Sequence, residues 1–265
     1  MTNTIENRID EVAQYYEPAV KFEKLAAWLF WLISILSLCM PYYSNFGELV
    51  KCSLQSSFIV SVILYFSISQ ISRFYLVPKA ERMRRKQMLS DAFGTPLCHD
   101  KTSLYYNNDY TPSLQRLGAN TMENSFFSKE VAEKMLHKKR TFTGGYAVIW
   151  LLAFSLRHNN LEILTWITQV IFSGEIIAQW LNLEVLRLRH ERTYDRLHTH
   201  FLHDIGAESP RAIATVLDSF VAYESAKSSA GLLLSTKVFN ELNSSLTKKW
   251  TQIRKELKME FQPSA

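Results

Sequence analysis

The sequence predicts an all-α integral membrane protein, with four transmembrane helices in two hairpins, a cytoplasmic helical linker and a helical C-terminal tail. Three observations carry this reading. Apolar runs of near-bilayer length come in two pairs. Lysine and arginine are concentrated between and after those pairs. The residues after the last apolar run keep the 3–4 apolar spacing of a helix.

The chain has 265 residues, 47% hydrophobic and 21% charged, with net charge +5. A mean hydropathy of −0.08 is that of a soluble protein. The average conceals the segregation, because apolar residues are bunched and charges lie between the bunches. With 8 Gly and 7 Pro the composition excludes a low-complexity chain. The basic excess lacks a recognisable nucleic-acid motif, so an anionic membrane surface is the expected contact and direct duplex nucleic acid binding is not. Residues 1–24 are read as a cytoplasmic N-terminal helix. They are too long and too acidic for the n-region of a signal peptide. Cys39, Cys52 and Cys98 show no zinc spacing. Cys39 and Cys52 fall near one end of the first hairpin, and free thiols are the plainer reading.

The first hairpin is expected over residues 25–76. Leu25 to Phe46 has no charge and ends in Pro41, Tyr42 and Tyr43. Cys52 to Ser72 is a second uncharged run, with Ser57, Ser61, Tyr65 and Ser72 within one helix face. Such residues face protein or water, or bond back to their own helix. The second hairpin is expected over 141–186. Thr141 to Leu156 covers roughly 24 Å as a helix, and Arg140 and Arg157 must snorkel for it to span. Leu161 to Leu183 carries Glu162 and Glu175. A buried pair of soluble helices is the alternative for this half. Between the hairpins, residues 77–140 form the linker. It has a basic start, loops at Gly94–Pro96 and Tyr105–Tyr110, and helices over Ser113–Glu123 and Ser128–Lys138, each with a serine cap.

Residues 187–265 read as a helical stalk and tail. Leu183, Leu186, His190, Tyr194, Leu197 and Phe201 continue the fourth helix beyond its apolar run. Ser209-Pro210 opens a helix to about Lys227, Gly231 breaks it, and Asn243 to Ser245 caps a last helix with Trp250 and Ile253. About a dozen Lys and Arg lie between Arg73 and Arg140, against Lys51 and Arg157 at the hairpin tips. The positive-inside rule then puts both termini in the cytoplasm of a multi-pass inner-membrane protein.

No phosphate-binding glycine loop, HExxH or nucleophile elbow is present, so no catalytic residue, metal or cofactor is assigned and the chain is read as a non-enzyme. The stretch His190, His198, His200, His203 and Asp204 reads as the polar faces of a long helix rather than a metal site. Thr165, Thr168, Glu175, Gln179 and Asn182 fall within about 100° on a 3.6-residue helix. A charge at Glu175 costs roughly 2.5–3.5 kcal/mol in the bilayer, so it should face protein or water. Two readings of this stripe stand: a pore lining, or a polar seam that holds helices together. Arg82, Arg84, Arg85 and Lys86 are candidate contacts for anionic lipid headgroups.

Ala80 to Leu97 (AERMRRKQMLSDAFGTPL), Tyr105 to Asp109 (YYNND), Arg116 to Met135 (RLGANTMENSFFSKEVAEKM) and Phe172 to Trp180 (FSGEIIAQW), in this two-plus-two order of spans, resemble the SMODS-associating four-transmembrane effector family of bacteria. A related two-transmembrane effector family shares the general plan. The resemblance implies an effector of anti-phage conflict systems, encoded beside a nucleotidyltransferase. Such an effector perturbs or permeabilises the inner membrane as a homo-oligomer after an intracellular trigger such as a cyclic nucleotide. Under that implication Tyr105, Tyr106, Arg116, Asn120 and Asn124 are candidates for a ligand-sensing surface, since aromatic, Arg and Asn side chains suit base stacking and phosphate contact. Turn residues and helix surface are the plainer reading of the same five. A constitutive channel or transporter and a non-conducting membrane anchor are the competing functions.

Overall fold

The computed structural model describes residues 9–39, 47–100, 102–103, 105–106, 108, 110–155, 163–203 and 209–259. Within these, the side chains of 9, 38–39, 103, 146–147, 149–155 and 163–176 lie outside the description. Among the described residues helix predominates, with one short pair of strands. The helices are α1 (Glu17–Cys39), α2 (Glu48–Ile71), α3 (Val77–Phe93), α4 (Leu114–Ser155), α5 (Ile163–His203), α6 (Pro210–Ala230) and α7 (Thr236–Glu256). Strands β1 (Ile9–Asp10) and β2 (Thr102–Ser103) pair antiparallel, with Asp10 opposite Thr102. The chain divides into two compact units. One comprises Met1–Tyr15, Pro78–His137 and Asn182–Ala265, and the other Tyr16–Val77 and Lys138–Leu181.

Several elements differ from expectation. The N-terminal segment is not one helix. Ile9–Asp10 is a strand, Glu11–Tyr16 a 3-10 turn, and α1 starts at Glu17. The linker does not break at Val77-Pro78, because helix continues from Glu48 to Phe93. A π-helical stretch at Ser72–Leu76 lies just before Pro78. Proline cannot donate to the carbonyl four residues back, and a widened turn accommodates that missing bond. The two helices expected in the linker are one. Ser113 caps α4 by accepting from the Arg116 amide at 3.2 Å, but Ser128 sits inside the helix, where Phe127, Val131, Ala132 and Leu136 bury one continuous face. α7 begins at Thr236, capped by Ser235 accepting from the Val238 amide, so Asn243–Ser245 lies within it. α5 runs on to His203. α6 opens with Ser209 accepting from the Ala212 amide at 3.1 Å and closes at Gly231, whose φ of 56° is the left-handed conformation glycine tolerates.

The first unit has an ordinary interior. Met88, Met122, Phe126, Leu197, Phe201, Val216, Leu246 and Trp250 form its core, with Trp250 fully buried and stacked on Phe126 at 6.2 Å. Gly118 lets α4 approach closely. A Cβ there would meet Phe201 Cζ at 3.1 Å and Val216 Cγ2 at 3.3 Å.

The second unit is arranged the other way round. α1 packs on α2 through Leu29, Ile33, Phe58, Val62 and Tyr65, yet Trp28 (61%), Trp31 (59%), Ile63 (59%) and Phe74 (72%) are exposed. Glu48–Phe93 is a helix long and apolar enough to cross a membrane, and only 22% of its most apolar stretch is buried. A soluble core helix would bury that face. An apolar surface this extensive requires a cover, and lipid is one that lets each side chain stay outward.

Candidate functional site

In the second unit, polar residues converge where α2, α4 and α5 meet. Gln179 Nε2 donates to the Tyr65 hydroxyl at 3.0 Å, and the Lys139 ammonium donates to Gln179 Oε1 at 3.3 Å. Ser61, Ser72 and Thr143 are also buried, while Ser57 is exposed. The serine face of α2 and the polar stripe of α5 are therefore joined through Tyr65 and Gln179. Asn182 is half-buried. Thr165, Thr168 and Glu175 lie on α5, with side chains outside the described residues. Lys139 was not among the expected seam residues. Its place in a basic run, two residues before the apolar stretch from Thr141, is the signal that was available.

Three polar clusters among the described residues of the first unit involve the expected site residues or their neighbours. Asp91 is the centre of one. Its carboxylate accepts from Arg116 Nε at 3.0 Å, Arg116 Nη2 at 2.6 Å and Asn120 Nδ2 at 2.8 Å. Arg116 also donates to the Tyr110 carbonyl, and Asn108 donates to Asn120 at 2.6 Å. This pins Asn108 and Tyr110 to the α3–α4 corner. Asn120 is fully buried. Tyr106 is half-buried with its hydroxyl enclosed, and that burial holds its phenol well above the usual range. Asn124 donates to the Met88 sulfur. The expected sensing surface is corrected on this point: Asn120 is fully buried and Arg116 half-buried, and both are committed to the Asp91 carboxylate rather than presented as free helix surface.

Arg84 anchors the second cluster. It makes a bidentate pair with Asp10, both bonds at 2.9 Å, and its guanidinium lies 4.4 Å from the Tyr105 ring centroid. Gln87 donates to Thr102 beside it. Arg84 is thus committed to holding the strand pair and is corrected as a headgroup contact. Arg82 and Lys86 remain exposed. Arg85 is half-buried, 3.7 Å from Glu224.

The third cluster lies between α3, α5 and α6. Lys227 pairs with Glu81 and with Glu224, the latter at 3.4 Å, and burial raises the Glu224 carboxyl above its ordinary value. Next to it His190 is buried, 5.1 Å from the Tyr223 ring, and neither ring nitrogen has a hydrogen-bond partner. Burial, then the nearby Lys227 charge, lowers its pKa to about 3, so the imidazole is neutral. Tyr223 is itself raised by burial. Of the other stalk histidines, His198 packs on Tyr194, His200 on Phe201, and His203 is exposed; Asp204 lies outside the described residues. Cys52 and Cys98 are free thiols.

The chain has no match among protein-family models, curated proteins or solved structures.

Proposed function

We propose that the chain is a multi-pass membrane effector of bacterial defence, whose apolar unit sits in the inner membrane and perturbs it after an intracellular trigger. The observation that supports this most directly is the outward apolar surface of the α1–α2 hairpin, in the same chain as a unit with a conventional buried core. The stretches over Ala80–Leu97 and Phe172–Trp180 that resemble the four-transmembrane effectors supply the biological context. Under this reading α4 and α5 provide the third and fourth spans, both termini are cytoplasmic, the active form is a homo-oligomer, and the polar stripe from Thr165 to Asn182 borders the path that opens.

The test is expression with and without the defence system, with a voltage-sensitive dye as readout. Depolarisation that accompanies growth arrest supports the effector. Glu175→Gln, which cannot ionise but keeps its size and hydrogen bonding, should reduce dye influx at matched membrane abundance. Growth arrest with unchanged membrane voltage would instead support a non-conducting anchor. That second reading is favoured by the way Tyr65, Gln179 and Lys139 bond to one another. Reporters fused after Asn159 and after Ala265 should report opposite compartments, and the same compartment for both would remove the second hairpin.

A further inference from the structure

We infer that α6 is a self-docking helix, pairing antiparallel with α6 of a second copy about a two-fold axis at Val221. The observation begins with the face α6 turns away from its own unit. Ala212, Val216, Ser219, Tyr223, Ala226 and Ala230 are buried against the interior. On the opposite side Ile213 (40%), Leu217 (44%) and Val221 (58%) are exposed aliphatics.

That outer face follows a pattern. Ala214, Leu217, Val221, Ser225 and Ser228 are spaced 3, 4, 4 and 3 apart and are all exposed. This is the spacing of a coiled-coil seam, about 21 Å long at 1.5 Å per residue. It is also a palindrome about Val221. A two-fold contact brings the same patch of both copies together, so each residue must meet its mirror position. Reflection about Val221 sets Leu217 against Ser225 of the second copy, a large side chain against a small one, and Ala214 against its Ser228, two small ones.

The surface relief matches. The N-terminal half of the face forms a ridge only in the sense that it carries the larger exposed side chains, Ile213 and Leu217. The C-terminal half is an open groove of about 400 Å³, lined by Arg85, Phe220, Val221, Glu224, Ser225, Ser228 and Ser229. The antiparallel register lays each ridge into the other copy's groove. The charges agree as well. Asp218, exposed and paired with Arg196, reflects onto position 224, where Arg85 holds Glu224 by the long 3.7 Å contact. The second copy's Asp218 thus gives Arg85 another carboxylate partner at the groove's edge.

This inference takes only the homo-oligomer from the proposed function and does not depend on membrane damage. Its test is cysteine crosslinking of the full chain in native membranes, with Cys39, Cys52 and Cys98 replaced by serine. Under mild oxidation Val221→Cys should yield a disulfide dimer. Thr251→Cys, on the exposed side of α7, should yield little. Leu217→Cys should not crosslink to itself but should crosslink to a co-expressed, differently tagged Ser225→Cys chain. Adding Leu217→Glu to the Val221→Cys chain should cut the dimer about tenfold or more, since losing one buried leucine exceeds one decade in affinity. The inference is overturned if Val221→Cys crosslinks no better than Thr251→Cys. It is equally overturned if Leu217→Cys self-crosslinks as well as Val221→Cys. Multimers captured by an amine crosslinker without a Val221 disulfide would leave the oligomer standing and remove α6 as its seam. A Val221 disulfide without depolarisation would keep the seam and count against the effector.

Discussion

Replacing His190 by leucine removes a buried imidazole that has no hydrogen-bond partner and cannot charge in the folded state. The consequence is a change in how stability depends on pH. In the unfolded chain the ring titrates at its ordinary value of 6.5, and in the folded chain at about 3. Between those values the unfolded chain takes up a proton that the folded chain does not. Stability contributed by the neutral ring is therefore complete above 6.5 and is lost as the pH falls toward 3. From 6.5 to pH 5 the loss is about 2 kcal/mol, at 1.36 kcal/mol per pH unit. His190→Leu has no such titration. Glu224 and Lys227 face the same cluster, but both chains carry them and their effects cancel in the comparison. Amide hydrogen exchange of α5 and α6 in the full chain, corrected for intrinsic rates, reads the difference. Between pH 7 and pH 5 the protection of the wild type relative to the variant should fall by about 30-fold, which is that 2 kcal/mol. Protection factors that run parallel over this range would refute a buried neutral His190.

Two further substitutions probe the clusters. Asp91→Ala leaves Arg116 and Asn120 without the carboxylate that holds them and should destabilise the first unit by about 3 kcal/mol, read as lost exchange protection in α3 and the start of α4, with Asp91→Asn intermediate. Tyr65→Phe removes the acceptor for Gln179. With both helices in lipid, as proposed above, the cost should be only about 0.6 kcal/mol, typical of a hydrogen bond between membrane helices, measured by reversible unfolding in mixed micelles.

Local chemistry made much of the fold legible. Ser209-Pro210 and Gly231 bound α6 because capping and left-handed backbone depend on residues a few positions apart. The fourth helix could be followed to Phe201 because Leu186, His190, Leu197 and Phe201 bury one face of it, His190 included. The failures have a common cause. Ser128 and Asn243–Ser245 carry the residue types of helix caps, yet no glycine or proline precedes them, and the buried faces of α4 and α7 run through both. The polar sites were less legible still. Arg116 and Asn120 look like surface residues until Asp91, on another helix, is brought beside them, and sequence spacing does not encode that meeting. Lys139 belongs to the same class, since its link to Gln179 exists only after α4 and α5 come together.

The missing side chain at Gly118 ties three positions of the chain together over evolutionary time. With Phe201 Cζ and Val216 Cγ2 at the edge of contact, a methyl group at 118 meets carbon on two sides at once. Drift there has an order. A lineage that first shortens the ring at 201 opens room, and alanine at 118 then becomes neutral. A lineage that gains alanine first must push α4 away from both neighbours before any compensation exists. Among distant relatives, glycine at 118 and an aromatic ring at 201 should therefore be kept or lost together, a pairwise record of how closely these helices approach.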